Sequence, residues 1–136
     1  MSNSIFTVGD ALGVHFIIEF FEANHLCEGG PILRIMREAA EAAGAQVLNE
    51  NIHDFGSGQG VTGVVMLAES HISIHTWPEY GYAALDVFMC GDRAKPEVCL
   101  DHLRAFFAPA RENIRRLHRG EAVTKVEAAP ARQSVG

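Results

Sequence analysis

The hydrophobic pattern along the chain predicts its strands and helices. Residues 13–21 are dense in β-branched and aromatic side chains, which is typical of a mostly buried strand. From Ile32 to Ala43 apolar residues recur at helical spacing, with Pro31 before them and Gly44 after them, so we expect an amphipathic helix. The spacing of apolar residues also predicts a helix from Pro96 to Phe107.

The remaining β-type runs predict further strands, and the order of the elements indicates the fold class. Because strands outnumber helices and the middle strands follow one another, we expect a mainly antiparallel sheet with two helices on one face, an α+β two-layer sandwich. The other face needs cover, and self-association would provide it. Residues 1–119 are expected to form a single domain and residues 120–136 a flexible tail. The expected strands after the first are 45–52, 61–68, 71–76, 82–89 and 113–118.

Composition narrows the class of protein. The 136 residues are 48% hydrophobic and carry a net charge of −6, which fits one globular domain and excludes a disordered chain. The acidic balance argues against nucleic acid as a partner. No export signal is recognisable, and the apolar run 14–21 is too short to span a membrane. The three cysteines fit a reducing compartment, so we expect a cytoplasmic protein with no membrane partner.

Titratable and nucleophilic side chains concentrate in residues 69–92. Side chains of an extended strand alternate between its two faces, so His71, Ser73 and His75 share one face. Asp86 and Cys90 share a face on the following strand by the same argument. Core strands rarely carry so many titratable groups, and this concentration indicates a functional site.

Three interpretations of this segment stay open on pattern alone. A zinc site of His71, His75 and Cys90 has suitable donors, but residues four apart on a strand lie roughly 13 Å apart, too far for one ion. The polar residues also fit the solvated face of an antiparallel sheet. Nucleophilic chemistry is the third interpretation, with Ser70, Ser73 or Cys90 activated by a histidine.

A family resemblance favours the third interpretation. The run AESHISIHTWPEYGYAALDVFMCG, residues 68–91, resembles the signature of the prokaryotic S-adenosylmethionine decarboxylase proenzymes. The similarity extends over residues 12–119 and includes His53 and Phe55 before a glycine-rich loop. A match of about twenty contiguous positions is far more specific than a short motif.

The resemblance implies a self-cleaving decarboxylase whose cofactor is a pyruvoyl group made from Ser70, with no metal and no pyridoxal phosphate. The chain is expected to cut itself between Glu69 and Ser70, giving a β chain of residues 1–69 and an α chain of residues 70–136. Attack of the Ser70 hydroxyl on the Glu69 carbonyl gives an ester. Loss of the Ser70 α-proton and hydrolysis then leave the pyruvoyl group, whose ketone forms a Schiff base with the substrate amine.

Roles for individual residues follow from the same resemblance. His75 is expected to be the proton acceptor in processing, and Cys90 the proton donor that reprotonates the substrate α-carbon. Phe55 is expected to stack on adenine, and Glu79 to accept hydrogen bonds from ribose. Trp77 is expected in the core or at an interface.

Some of the other cysteines and histidines are expected to be structural, and some are left without a role. Cys27 and Cys99 are expected to be small buried hydrophobes. His15 is left without a role.

Two departures from the family pattern leave the substrate open. Glu22-Ala23-Asn24 stands where members commonly have cysteine followed by aspartate, and the glycine loop 56–60 is one residue longer than usual. The expected substrate is S-adenosylmethionine, whose decarboxylated form is the aminopropyl donor for spermidine. An ornithine or arginine decarboxylase, or an uncleaved binding homologue, is the alternative. The active unit is expected to be a homo-oligomer of αβ pairs, a dimer with pockets at the shared boundary.

Overall fold

The computed structural model describes residues 11–126. The strands are β1 (Gly13–Phe21), β2 (Val47–Asp54), β3 (Val61–Leu67), β4 (Ser70–Trp77), β5 (Tyr82–Cys90) and β6 (Arg111–Arg119), and the helices are α1 (Gly29–Ala42) and α2 (Pro96–Phe107). A short 3-10 turn, Pro78–Tyr80, joins β4 to β5. Of the expected tail, residues 127–136 lie outside the described residues.

The strands of the described region form one sheet in the order β2-β3-β4-β5-β1-β6, and every neighbouring pair is antiparallel. The expected α+β sandwich is thereby confirmed. The last strand is longer than the expected run 113–118 because it pairs with the whole of β1, from Phe21 opposite Arg111 to Gly13 opposite Arg119. Helix α1 begins earlier than expected, at Gly29 rather than Ile32.

The core lies between one face of the sheet and the two helices. Along β1 the buried residues alternate with residues that face away from the helices, and β4 and β5 follow the same rule. Full burial of each large apolar side chain stabilises the fold by roughly 1.5–3 kcal/mol. The largest of these side chains are Phe16, Phe20, Ile32, Met36, Ile72, Ile74, Leu100, Leu103 and Phe107.

The opposite side of the sheet, called the open face below, carries neither helix of the described residues. It presents the polar side chains of the central strands together with large apolar ones. Ile17, Met66 and Leu117 are 37%, 51% and 46% exposed on three different strands. Such a mixture on a wide, uncovered sheet is typical of a surface that another molecule covers. Neither α1 nor α2 is long and apolar enough to cross a membrane.

Candidate active site

The expected cleavage point lies in a tight hairpin. Only Ala68 and Glu69 separate β3 from β4, and Leu67 pairs with Ser70 across the turn. Glu69 has a φ of 62°, in the left-handed region that residues with a Cβ avoid. This conformation stores on the order of 1 kcal/mol of backbone strain. The bond expected to break therefore directly follows a strained residue, and Ser70 is the first residue of β4.

Ser70 lies beside Cys90. The Cys90 backbone N–H donates to Ser70 Oγ at 3.0 Å. A cavity of about 290 Å³ adjoins both residues, and its lining includes Gly44 and Arg93. Burial raises the pKa of the Cys90 thiol. A hydrogen bond between this thiol and the Ser70 side chain lowers the pKa, and the Glu69 charge raises it further. The net effect is a thiol that stays protonated at neutral pH.

Glycine is required next to this pair. A Cβ built on Gly13 would lie 2.8 Å from Cys90 Sγ, 2.8 Å from the Met89 carbonyl oxygen and 2.9 Å from Phe88. These distances are too short for any side chain. The start of β1 therefore approaches the Cys90 thiol as closely as a backbone can, and fixes its position from one side.

Phe55, His75 and Glu79 meet near the end of β4 that is distant from Ser70. They line one cavity of about 540 Å³, together with Thr62 and Trp77. This volume is within the range of small-molecule sites. His75 Nδ1 lies 3.1 Å from Thr62 Oγ1, and the Trp77 side chain is 39% exposed. Trp77 is thus not a core residue, and only the interface part of its expected role stays open.

Asp54 fixes the loop that carries Phe55. Its Oδ2 accepts the backbone N–H of Gly29 at the start of α1, at 3.1 Å, and its Oδ1 accepts that of Gly56 at 3.0 Å. Donation from Gly56 and then Gly29 lowers the pKa of the Asp54 carboxyl, so it is ionised at neutral pH. Sequence reasoning did not single out Asp54.

One chain does not bring the two groups of expected site residues together. Ser70 and His75 are five positions apart on β4, which corresponds to roughly 16 Å along a strand. The strand pairs with β3 on one side and β5 on the other, so it cannot bend to close this gap. The structure therefore joins Ser70 with Cys90, and His75 with Phe55 and Glu79, as two separate clusters.

The Asp86 cluster, which consists of His15, His71, Ser73 and Asp86, lies between these two clusters. Sequence reasoning singled out the last three residues but did not predict that they contact one another or that His15 joins them. Asp86 Oδ2 lies 2.6 Å from His15 Nε2 and 2.9 Å from His71 Nε2, and Ser73 Oγ donates to Oδ1. Burial raises the pKa of the Asp86 carboxyl, but hydrogen bonds from Ser73, His15 and His71 outweigh it and the net shift is downward. Asp86 is therefore a carboxylate at neutral pH.

His15 has a defined place, contrary to the expectation that left it without a role. It sits on β1, two residues from Gly13, and is 15% exposed in its side chain. Strand alternation predicted that His71 and Ser73 share one face of their strand and, separately, that Asp86 and Cys90 share a face of the next strand. The pairing of β1 with β5, which brings in His15 from 71 residues away, leaves no local signal in the sequence.

The donor set of the Asp86 cluster fits hydrogen bonding better than metal coordination. Ligand atoms of His15, His71 and Asp86 lie within 4.8 Å of one another. Arg119 Nη1 lies 3.0 Å from His15 Nδ1. A guanidinium can only donate, so Nδ1 accepts and the proton of a neutral His15 is on Nε2, where a metal would bind. The zinc interpretation has no support either, because His75 belongs to the distant cavity.

The two remaining cysteines differ from each other. Cys99 is fully buried, and burial raises the pKa of its thiol to about 12, as expected for a core residue. Cys27 is only half-buried, so the expectation that it is a buried hydrophobe is wrong.

Comparison with known proteins identifies similar chains. Residues 14–120 match the family model described as S-adenosylmethionine decarboxylase. A Methanococcus aeolicus protein named S-adenosylmethionine decarboxylase proenzyme is 43% identical over 114 residues, covering 82% of this chain and 97% of the relative. A Synechococcus protein of the same name is 50% identical over 95 residues, covering 68% and 73%. The crystal structure of the adenosylmethionine decarboxylase from Aquifex aeolicus matches with a TM-score of 0.76 at 30% identity, covering 89% of this chain and 99% of that one.

Proposed function

The chain belongs to the S-adenosylmethionine decarboxylase family, and on that premise we propose that it is a self-cleaving, pyruvoyl-dependent decarboxylase of S-adenosylmethionine. Its product would be the aminopropyl donor for spermidine. The observation that carries the proposal is the position of Ser70, directly after the strained Glu69 and with its hydroxyl held by the Cys90 N–H.

The cleavage chemistry needs no reagent besides side chains of this protein and water. Ser70 Oγ attacks the carbonyl carbon of Glu69, the peptide C–N bond breaks, and an ester remains. A base removes the Ser70 α-proton, the Cβ–Oγ bond breaks, and Oγ leaves as a carboxylate oxygen of Glu69. Water then displaces the nitrogen of residue 70 as ammonia, which leaves a pyruvoyl group at the start of the α chain. Release of the strain at Glu69 favours the forward direction.

The surroundings of residue 70 fit a pyruvoyl group. Its ketone would supply an electron sink for the loss of CO₂. Cys90 lies beside it, and the raised pKa keeps that thiol protonated, so we assign Cys90 the donation of a proton to the substrate α-carbon. The lack of a side chain at Gly13 leaves the thiol the space that a Cβ would occupy.

A second copy of the chain would complete the site. His75 is suited to accept the Ser70 α-proton, but it is roughly 16 Å from Ser70 along β4. A two-fold axis that crosses the strands in the plane of the open face, midway between these residues, would bring His75 of the partner subunit over Ser70. Such a dimer would also cover the exposed Ile17, Met66 and Leu117.

The cavity around Phe55 and Glu79 supports S-adenosylmethionine over ornithine or arginine. An aromatic ring can stack on adenine, and a carboxylate can accept hydrogen bonds from ribose hydroxyls. A simple amino acid would leave both unused. Release of CO₂ from the three substrates at equal concentration tests this: we expect S-adenosylmethionine to be turned over fastest, and faster turnover of ornithine or arginine would refute it.

The mass of the purified chain tests the proposed cleavage. Wild-type protein should give two fragments divided after Glu69. The fragment that begins at residue 70 should carry a carbonyl group at its amino-terminal end. Ser70→Ala should stay intact. A wild-type chain of full length would refute self-cleavage and favour an uncleaved binding homologue.

A further inference from the structure

Cleavage after Glu69 would turn the first residue of an inner strand into a chain terminus. In the intact chain the turn at Ala68 and Glu69 holds Ser70 opposite Leu67. Chain termini lose order unless other contacts hold them. The reacting group would sit on this terminus, where a displacement of about 1 Å can cost on the order of a hundredfold in rate.

The contact that Ser70 makes in the intact chain does not survive the proposed chemistry. The Cys90 N–H donates to Ser70 Oγ. That oxygen leaves with Glu69, so the hydrogen bond is lost when the pyruvoyl group forms. The pairing of β4 with β5 begins one residue later, at His71 opposite Phe88. The side-chain contacts of His71 are therefore the first along the new chain that can hold its end.

His71 and Ser73 both donate to Asp86 on β5, His71 at 2.9 Å. The same carboxylate accepts from His15 on β1 at 2.6 Å. The Asp86 side chain, on β5, thus connects two successive open-face residues of β4 with His15 of β1, the strand on the other side of β5. Arg119 contacts the other nitrogen of His15 and so keeps its Nε2 proton directed at Asp86.

We propose that Asp86 is a positioning residue, which holds the new amino-terminal end of β4 through His71 and Ser73 and keeps residue 70 aligned with Cys90. The inference rests on the cleavage proposed above. Asp86 should be needed for this only after the backbone is cut, because before cleavage the turn at Ala68 and Glu69 holds residue 70 in place.

Amide hydrogen exchange across residues 71–75 tests this role. In the cleaved protein, Asp86→Asn should accelerate exchange about tenfold, because the amide nitrogen of asparagine cannot accept the histidine protons. In uncleaved Ser70→Ala protein, which also lacks the hydroxyl, adding Asp86→Asn should change exchange by less than about twofold. The backbone between residues 69 and 70 is intact in the Ser70→Ala background and cut in the other. Equal acceleration in both, or none in either, would overturn the proposal.

Kinetics give a second readout. Asp86→Asn should lower kcat at least about tenfold and leave KM within about threefold, since the adenosine cavity lies elsewhere. His71→Gln keeps an N–H donor and should retain more activity than His71→Ala. Asp101→Asn, which removes an exposed carboxylate bonded to Arg104 on α2, is the matched control.

The outcomes separate this inference from the proposed function. Wild-type protein that stays uncleaved refutes the proposed function. Cleaved wild-type protein with an Asp86→Asn variant that fails to cut itself, or that keeps full kcat, overturns the positioning role. Should Asp86→Asn not fold, His71→Ala replaces it in the same pair of backgrounds, with the same expected contrast.

Discussion

Two inactive variants should complement each other in a mixed dimer if each site is shared between two copies of the chain. Ser70→Ala retains His75 but has no hydroxyl to attack, and His75→Ala retains Ser70 but lacks the proposed base. Because Ser70 and His75 of one chain are roughly 16 Å apart, the proposed base would come from the partner subunit. Equal co-expression gives mixed dimers in about half of all assemblies, each with one complete pair. About half of the His75→Ala chains should therefore acquire the pyruvoyl group.

The assay is the intact mass of differently tagged chains after co-expression. Each variant expressed alone is the control: Ser70→Ala should stay whole, and His75→Ala should stop at the ester, which hydroxylamine cleaves. If mixed dimers purified through both tags contain no pyruvoyl-bearing His75→Ala fragment, the shared site is refuted. A wild-type chain that matures fully as a monomer would refute it as well.

Three further variants test individual parts of the site. Cys90→Ala should still cut itself but lose about a hundredfold or more in kcat, the usual contribution of a general acid. Steady-state CO₂ release measures this loss, because reprotonation follows the departure of CO₂ and must be complete before the next turnover. Because the pKa of the Cys90 thiol is raised, wild-type kcat should persist beyond pH ~8.5, where an ordinary thiol is half ionised. Asp54→Asn, which cannot accept both backbone N–H groups, should raise KM about threefold to tenfold with little change in kcat by loosening Phe55; an unchanged KM would exclude this positioning of the loop. Gly13→Ala should impair activity because its Cβ would meet Cys90 Sγ at 2.8 Å, and wild-type turnover in that variant would contradict the close approach.

The fold could be predicted from local pattern because each element carries its own signal. The run 13–21 and the helix that starts at Pro96 have the predicted bounds, since β-branched density and helical periodicity are local properties. Strand alternation likewise put His71 and Ser73 on one face of their strand. Pairing between distant strands has no such signal, and for that reason His15 was missed.

The separation of Ser70 from His75 within one chain could have been predicted from the sequence. The strand spacing that separates His71 from His75 by roughly 13 Å, and so argues against a zinc ion, applies equally to Ser70 and His75. The family resemblance supplied the residue roles but not their distances. Only the uninterrupted pairing of β4 makes this separation unavoidable within one chain.

If the chain is cut as proposed, the strand order also governs what the two fragments can do. Residues 1–69 provide β1, β2 and β3, and the remainder provides β4, β5 and β6, yet β1 lies between β5 and β6. The strands of the two fragments would therefore be interleaved in one sheet, and neither fragment could leave without dismantling that sheet. Assembly of the sheet would come first and scission second, so a cut chain would be a durable record that its own folding succeeded.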